Sequence, residues 1–295
     1  MSKISFLQRL QAGDLLVSDG ATGTNLLARG LPRGQSPENW IIDQPEQILQ
    51  LHRDFLASGS DIILTSTFGG SSIRLRGTSI EGRAVEVNQR AAELALQACR
   101  DTPALVGGSI GPLGQLLKPL GRLTPEEAFA SYAEQARALS EAGVDLLVIE
   151  TQFDLAEATA AIQAAHSVSS LPIVASFSYD RGKRTMMGLS PAKAGAELTA
   201  LKVDVIGINC GRSLEENLAN LHELRQVVSL PIWFKPNAGL PSVDDKGNPF
   251  YDLTPKQMGE QAAGWVAAGA QIVGGCCGTS PAHLYQIAQA VKVEK

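Results

Sequence analysis

Val203-Asp204-Val205-Ile206-Gly207-Ile208-Asn209-Cys210 is the stretch on which the fold of this chain turns. Its aliphatic and β-branched residues run on without polar alternation, as in a parallel strand buried on both faces, and it stops at an asparagine and a cysteine. Seven more runs share the pattern, at 15–18, 61–65, 104–107, 145–149, 172–176, 231–234 and 270–273. Helical stretches lie between them. Thr124-Pro125, Ser190-Pro191, Thr254-Pro255 and Ser280-Pro281 each set a capping hydroxyl before a proline at the first helical position. Ala142-Gly143 and Ala268-Gly269 mark helix ends that lead straight into a strand. Eight strand-then-helix units with no linker or low-complexity segment predict one (β/α)8 TIM barrel over residues 1–295, with an open doubly wound sheet as the competing architecture.

In such a barrel, function gathers at the C-terminal ends of the strands. Polar residues collect at those positions here: Asp19-Gly20-Ala21-Thr22, Thr65-Ser66-Thr67-Phe68, Ser109, Glu150-Thr151, Ser178-Tyr179-Asp180, Asn209-Cys210, Lys235-Pro236-Asn237 and Gly274-Gly275-Cys276-Cys277. Three thiols, Cys210, Cys276 and Cys277, thus come from two strand ends. Adjacent side chains on a regular strand point to opposite faces, so Cys276 and Cys277 face one ion only if the strand has ended or bulged. The flanking Gly274, Gly275 and Gly278 permit that. Three sulfur ligands suit Zn(II) better than Mg or Ca and leave a fourth tetrahedral position for substrate or water. Buried unliganded thiols, or a Gly-Gly cradle for phosphate, are the competing readings. Cys99 lies in a helical pattern and reads as core.

At 295 residues, 44% hydrophobic and 19% charged, the composition is that of an ordinary globular chain. A formal net charge of −5 without a basic run argues against nucleic acid as partner. No signal-like or membrane-length apolar segment is seen, so the expected setting is cytoplasmic with no membrane partner. Four cysteines in such a chain read as thiols or ligands rather than a disulfide framework.

The motifs together resemble the homocysteine S-methyltransferase family, and most of all the homocysteine-binding module of cobalamin-dependent methionine synthase. The likeness runs along the whole chain: Asp19-Gly20-Ala21-Thr22-Gly23-Thr24, Thr67-Phe68 with Ser72-Ile73-Arg74-Leu75, Gly108-Ser109-Ile110-Gly111-Pro112, Glu150-Thr151, Gly207-Ile208-Asn209-Cys210, Pro236-Asn237-Ala238-Gly239 and Gly274-Gly275-Cys276-Cys277-Gly278-Thr279. It implies that Cys210, Cys276 and Cys277 hold zinc and that L-homocysteine sulfur takes the fourth position. It also implies that Glu150 and Asp19 lie near the substrate ammonium and that backbone amides of the Ala21-Thr22 turn approach its carboxylate. The chain departs from the pattern at Ser66, where that module usually has asparagine, and at Gly69, where betaine-dependent relatives carry a tyrosine. The implied donor is methylcobalamin, free or on a separate corrinoid protein, with S-methylmethionine or S-adenosylmethionine as the small-molecule alternatives.

The chemistry suits these residues. A free thiol is mostly protonated at neutral pH, whereas a metal-coordinated one is deprotonated outright. Zinc held by three thiolates is electron-rich, which favours alkyl acceptance by a fourth sulfur over acidification of water. Glu150 also fits a rim ion pair, Asp19 an ordinary Asp-Gly turn, and Asn209 either a substrate contact or a loop bridge. Two other functions compete: a Schiff-base lyase built on Lys235, and a non-catalytic zinc or thiol sensor. His52, His166, His222 and His283 fall in helical patterns and receive no catalytic role.

Overall fold

The computed structural model describes residues 4–243 and 249–292. The rest of the expected 1–295 domain, residues 1–3, 244–248 and 293–295, lies outside the described residues. Among the described residues there are ten strands: β1 (Leu16–Val17), β2 (Ile62–Leu64), β3 (Leu105–Ile110), β4 (Leu146–Gln152), β5 (Ile173–Phe177), β6 (Val205–Cys210), β7 (Ile232–Pro236), β8 (Pro241–Val243), β9 (Pro249–Tyr251) and β10 (Ile272–Val273). Eight form a parallel sheet in the order β1-β10-β7-β6-β5-β4-β3-β2. A parallel bridge from Ser18 to Ile62 joins β1 to β2 and brings the sheet round into a barrel. The eight apolar runs are these eight strands, so the TIM barrel is the architecture and the open sheet is not. A small antiparallel hairpin, β8 with β9, stands apart in the turn after β7.

The helices are α1 (Phe6–Gln11), α2 (Thr22–Ala28), α3 (Asn39–Asp43), α4 (Pro45–Ala57), α5 (Ala84–Cys99), α6 (Pro125–Glu141), α7 (Leu155–Val168), α8 (Pro191–Ala200), α9 (Leu214–Arg225), α10 (Pro255–Ala267) and α11 (Pro281–Val291). All four Ser/Thr-Pro signals start helices. Thr124 and Thr254 close capping boxes with Glu127 and Gln257, and the Ser190 hydroxyl accepts from the Lys193 amide. At Ser280 the ring of His283 takes the glutamate's place, its Nδ1 accepting from the Ser280 amide at 3.1 Å. Gly143 and Gly269 end their helices at φ +91° and +101°.

Two layers of apolar packing follow from the sequence. Alternate strand residues (Leu16, Ile62, Leu105, Leu146, Val174, Val205, Trp233, Ile272) fill the barrel interior, and Phe6 and Leu10 of α1 join them at the N-terminal end. The outward set packs against the helices. At that same end Asp61, Asp145 and Asp204 each stand one residue before a strand. Their Oδ2 atoms accept from the amides of Val17, Val106 and Ile173 in the neighbouring strand, at 2.9, 2.6 and 2.8 Å. Each aspartate amide in turn donates to the carbonyl of the same residue. These reciprocal pairs fix the register of alternate strands and leave the opposite end to the site.

Candidate metal and substrate site

β6 delivers Cys210 in the left-handed region, at φ +58°, a conformation that costs a non-glycine residue and persists only where its surroundings impose it. They do so here. The Cys210 carbonyl accepts from Asn217 Nδ2 at 2.6 Å, and the carbonyl of Gly211 accepts from Asn237 Nδ2 at 2.7 Å. β10 ends at Val273, so Cys276 and Cys277 lie on a turn and escape strand alternation. That turn is pinned by Gly275 N–H to the Asp19 carbonyl (3.2 Å), Cys276 N–H to the Pro236 carbonyl (2.8 Å) and Ala238 N–H to the Cys277 carbonyl (2.9 Å). A Cβ on Gly275 would stand 2.4 Å from the Thr279 side chain, so only glycine fits.

The three sulfurs meet within 4.8 Å of one another, with Cys210 Sγ and Cys276 Sγ 2.9 Å apart. Hydrogen bonds from Cys210 and Cys276 hold the Cys277 thiol well below its usual range, while the same contacts and burial push Cys210 well above it. Three thiolates this close repel unless a cation lies among them. The donor set is soft, three-fold and convergent, and it fits a zinc ion with one position left to a further ligand.

Glu150, from β4, is buried beside this cluster. Burial pushes its pKa up to about 7, opposed by the nearby Lys235 ammonium and by a 2.5 Å hydrogen bond from the Ser109 hydroxyl. Lys235, from β7, is buried and bonds Asp19 Oδ1 at 2.7 Å. Burial opposes its charge, yet the carboxylates of Asp19 and Glu150 win and its pKa is raised. A protonated, ion-paired lysine is poorly placed to attack a carbonyl, which counts against the Schiff-base reading.

Asp19 and Asn209, two of the expected substrate-site residues, have their polar atoms engaged within the chain. Asp19 is buried, with its oxygens engaged by Lys235, the Leu64 amide at 2.8 Å and the Ser18 hydroxyl, and it does not line the cavity. Asn209 is also fully buried. Its Oδ1 accepts from Thr151 N–H (2.8 Å) and Ser176 Oγ (2.6 Å), and its Nδ2 donates to Thr151 Oγ1 (2.7 Å) and faces Cys276 Sγ at 3.7 Å. It braces the cysteine cluster and leaves nothing over for a ligand. The Ala21 amide is likewise engaged, donating to the carbonyl and hydroxyl of Thr279. The amides that follow from Thr22, at the start of α2, have no carbonyl to reach within the helix.

Above the cysteines opens a cavity of about 580 Å3 lined by Glu150, Lys235, the three cysteines, Ala21 and Thr22, and farther out by Leu27, Pro37, Glu38, Phe68 and Arg74. Tyr251, on β9, packs its ring on Gly278, next to Cys277. Nothing in the sequence around Tyr251 signals this, since the hairpin that carries it lies inside a long turn. Ser66 lines the cavity with its buried hydroxyl unpartnered. The four histidines lie on α4, α7, α9 and α11, outside the cavity. Cys99 ends α5 in the core.

The profile of the homocysteine S-methyltransferase family matches residues 16–291. The chain belongs to that family. Methionine synthases of Mycobacterium tuberculosis and Mycobacterium leprae are 32% and 31% identical to it, each over 94% of this chain and 24% of their own length. The chain thus spans about a quarter of these relatives. The metallated form of the homocysteine methyltransferase MmuM from Escherichia coli superposes with a TM-score of 0.79 at 26% identity, covering 95% of this chain and 97% of that one. Among the described residues, no helix is long and apolar enough to cross a membrane.

Proposed function

We propose that this homocysteine S-methyltransferase family member methylates L-homocysteine to methionine, using zinc held by Cys210, Cys276 and Cys277. The observation that carries it is the convergence of three thiols at the floor of a cavity whose wall holds a buried carboxylate, Glu150. When bound, zinc supplies a site at which the substrate thiol loses its proton near neutral pH. Everything else falls to the chain's own side chains. Glu150, its pKa pushed up to about 7 by burial, receives the substrate ammonium. The open amides from Thr22 onward receive its carboxylate. Asp19 acts by holding Lys235 charged at the cavity wall, and Asn209 acts by holding Cys276 and the Thr151 turn. The substrate sulfur then attacks the methyl carbon in line and displaces the donor: the new S–C bond forms as the donor–methyl bond breaks, and the electron pair leaves with the donor. Alignment of the two partners is the main catalytic task.

The donor favoured is methylcobalamin, free or carried by a separate corrinoid protein, over S-methylmethionine, S-adenosylmethionine or betaine. A small onium wants an aromatic cage, whereas Tyr179 is buried in the core and Phe68 is the one aromatic among the cavity-lining residues. A cytoplasmic setting, with no nucleic-acid partner, goes with this reading. Metal analysis and X-ray absorption on wild type and Cys210→Ala test the zinc site, and unchanged zinc in the variant would remove it. Methionine formation across the four donors tests the transfer. A protein that binds zinc yet turns over none of them would be the sensor, not the enzyme.

A further inference from the structure

The cavity has a second end. Its inner end is the cysteine floor, and its lip is built by the segment after β2. There Phe68 is partly exposed, its ring lying against Gly111, where a Cβ would stand 2.6 Å from ring carbon Cε2. The guanidinium of Arg74 lies against Gly114 in the same way, with Nη1 2.0 Å from where a Cβ would be. The Arg74 stem also rests on Gly69, 3.2 Å from its would-be Cβ. The turn after β3 therefore seats an aromatic ring on one side-chain-free position and a cation on another three residues on. Arg74 is exposed, lines the cavity and has no carboxylate within ion-pair distance among the described residues. The carboxylate lining this outer end, Glu38, is already engaged by the Gly69 amide at 2.5 Å and by the Ser36 hydroxyl. Leu27 and Pro37 add apolar lining to the cavity.

We infer that Phe68 and Arg74 form a donor subsite that takes the apolar body and an anionic phosphate group of the methyl donor. The inference rests on the methyl-transfer reading and narrows its donor. A guanidinium with no carboxylate at ion-pair distance among the described residues repels a sulfonium or a quaternary ammonium and attracts a phosphate, which it binds through paired N–H donors. Methylcobalamin offers both features, a large conjugated ring and a phosphodiester in its nucleotide arm, whereas methylcobinamide lacks the phosphodiester.

Two measurements decide this. Calorimetric titration of zinc-loaded protein with inorganic pyrophosphate needs no turnover: Arg74→Gln should weaken binding about 10- to 100-fold, and Arg74→Lys should restore part of it. Equal pyrophosphate binding by wild type and Arg74→Gln would overturn the subsite. In methionine formation, Arg74→Gln should raise KM for methylcobalamin by a similar factor and leave that for methylcobinamide within twofold. Homocysteine affinity and zinc content should be unchanged, since Arg74 lies at the lip. A methylcobalamin KM unaffected by the substitution, or a matching loss for methylcobinamide, counts against the phosphate contact. Should wild type form no methionine from any donor, the methyl-transfer reading fails while the pyrophosphate titration still decides the site.

Discussion

The two ends of the barrel are built from the same strands and follow opposite rules. At the N-terminal end, Leu16, Ile62, Leu105, Leu146, Val205 and Ile272 close on Phe6 and Leu10, and all are buried. Polar groups there include the reciprocal aspartate–amide pairs at strand starts and the Arg9 ion pairs with Asp14 and Asp61. Two to four residues along the same strands, the interior turns to Ser109, Glu150, Ser176, Asn209 and Lys235, all buried as well. Trp233 divides the two halves, its ring in the lower core and the Lys235 ammonium 5.6 Å from its centroid. Burial of apolar surface stabilises the lower end, whereas each buried polar group above costs free energy unless a partner satisfies it. Most are satisfied. Two groups stand out at the cavity wall: Glu150, whose pKa burial raises, and the unpartnered Ser66 hydroxyl. Polar groups that face the cavity beside three convergent thiols are what mark the upper end as the site.

The sharpest way to break this division is to remove a cysteine. Cys276→Ala should bring zinc from about one per chain to near none and methionine formation to background, by metal analysis and product assay, while leaving the barrel folded by circular dichroism. Next in size are the groups between the halves. Trp233→Ala should cost roughly 3–5 kcal/mol in denaturant unfolding, as for a buried aromatic. Lys235→Met should cost about as much because it strands the Asp19 carboxylate, and adding Asp19→Asn to it should recover most of the loss. A double variant no more stable than the single one would show that the pair has another role.

A smaller effect belongs to Glu150. Glu150→Gln should weaken homocysteine binding by about 2–3 kcal/mol with zinc retained. The sign of its pH dependence follows from a pKa raised from 4.5 to about 7. The folded, ligand-free protein holds this proton more tightly than the unfolded chain, so this group's contribution to stability falls as pH rises from about 4.5 to 7. The substrate ammonium needs the ionised form, so affinity should climb through pH 7 in wild type and climb less in Glu150→Gln, by calorimetry over pH 5.5 to 8. The smallest change is expected at the lower end. Asp204→Asn keeps the shape but weakens the hydrogen bond from Ile173, and should cost about 1 kcal/mol in stability with homocysteine affinity untouched. A loss of affinity there would mean that the two ends are coupled.

The sequence by itself determined the architecture, because every barrel strand is an apolar run of the right length and four helices open on Ser/Thr-Pro signals that need only local hydrogen bonds. It also determined which thiols could meet, since Cys210, Cys276 and Cys277 follow strands that a parallel barrel must bring to one rim. The partners of the acidic and amide residues were decided only by tertiary structure. Asp19 and Asn209 sit at strand ends like Glu150, but Lys235 claims the first across 216 residues, and Thr151 and Ser176 claim the second. Tyr251 reaches Gly278, next to Cys277, only because a hairpin folds within the turn after β7. Cys210 adopts a left-handed backbone only because Asn217 and Asn237 hold its turn. A hydrogen bond across the barrel leaves no trace in local residue spacing, so strand-end position could name the candidates, and only closure of the barrel could say which of them still face the cavity.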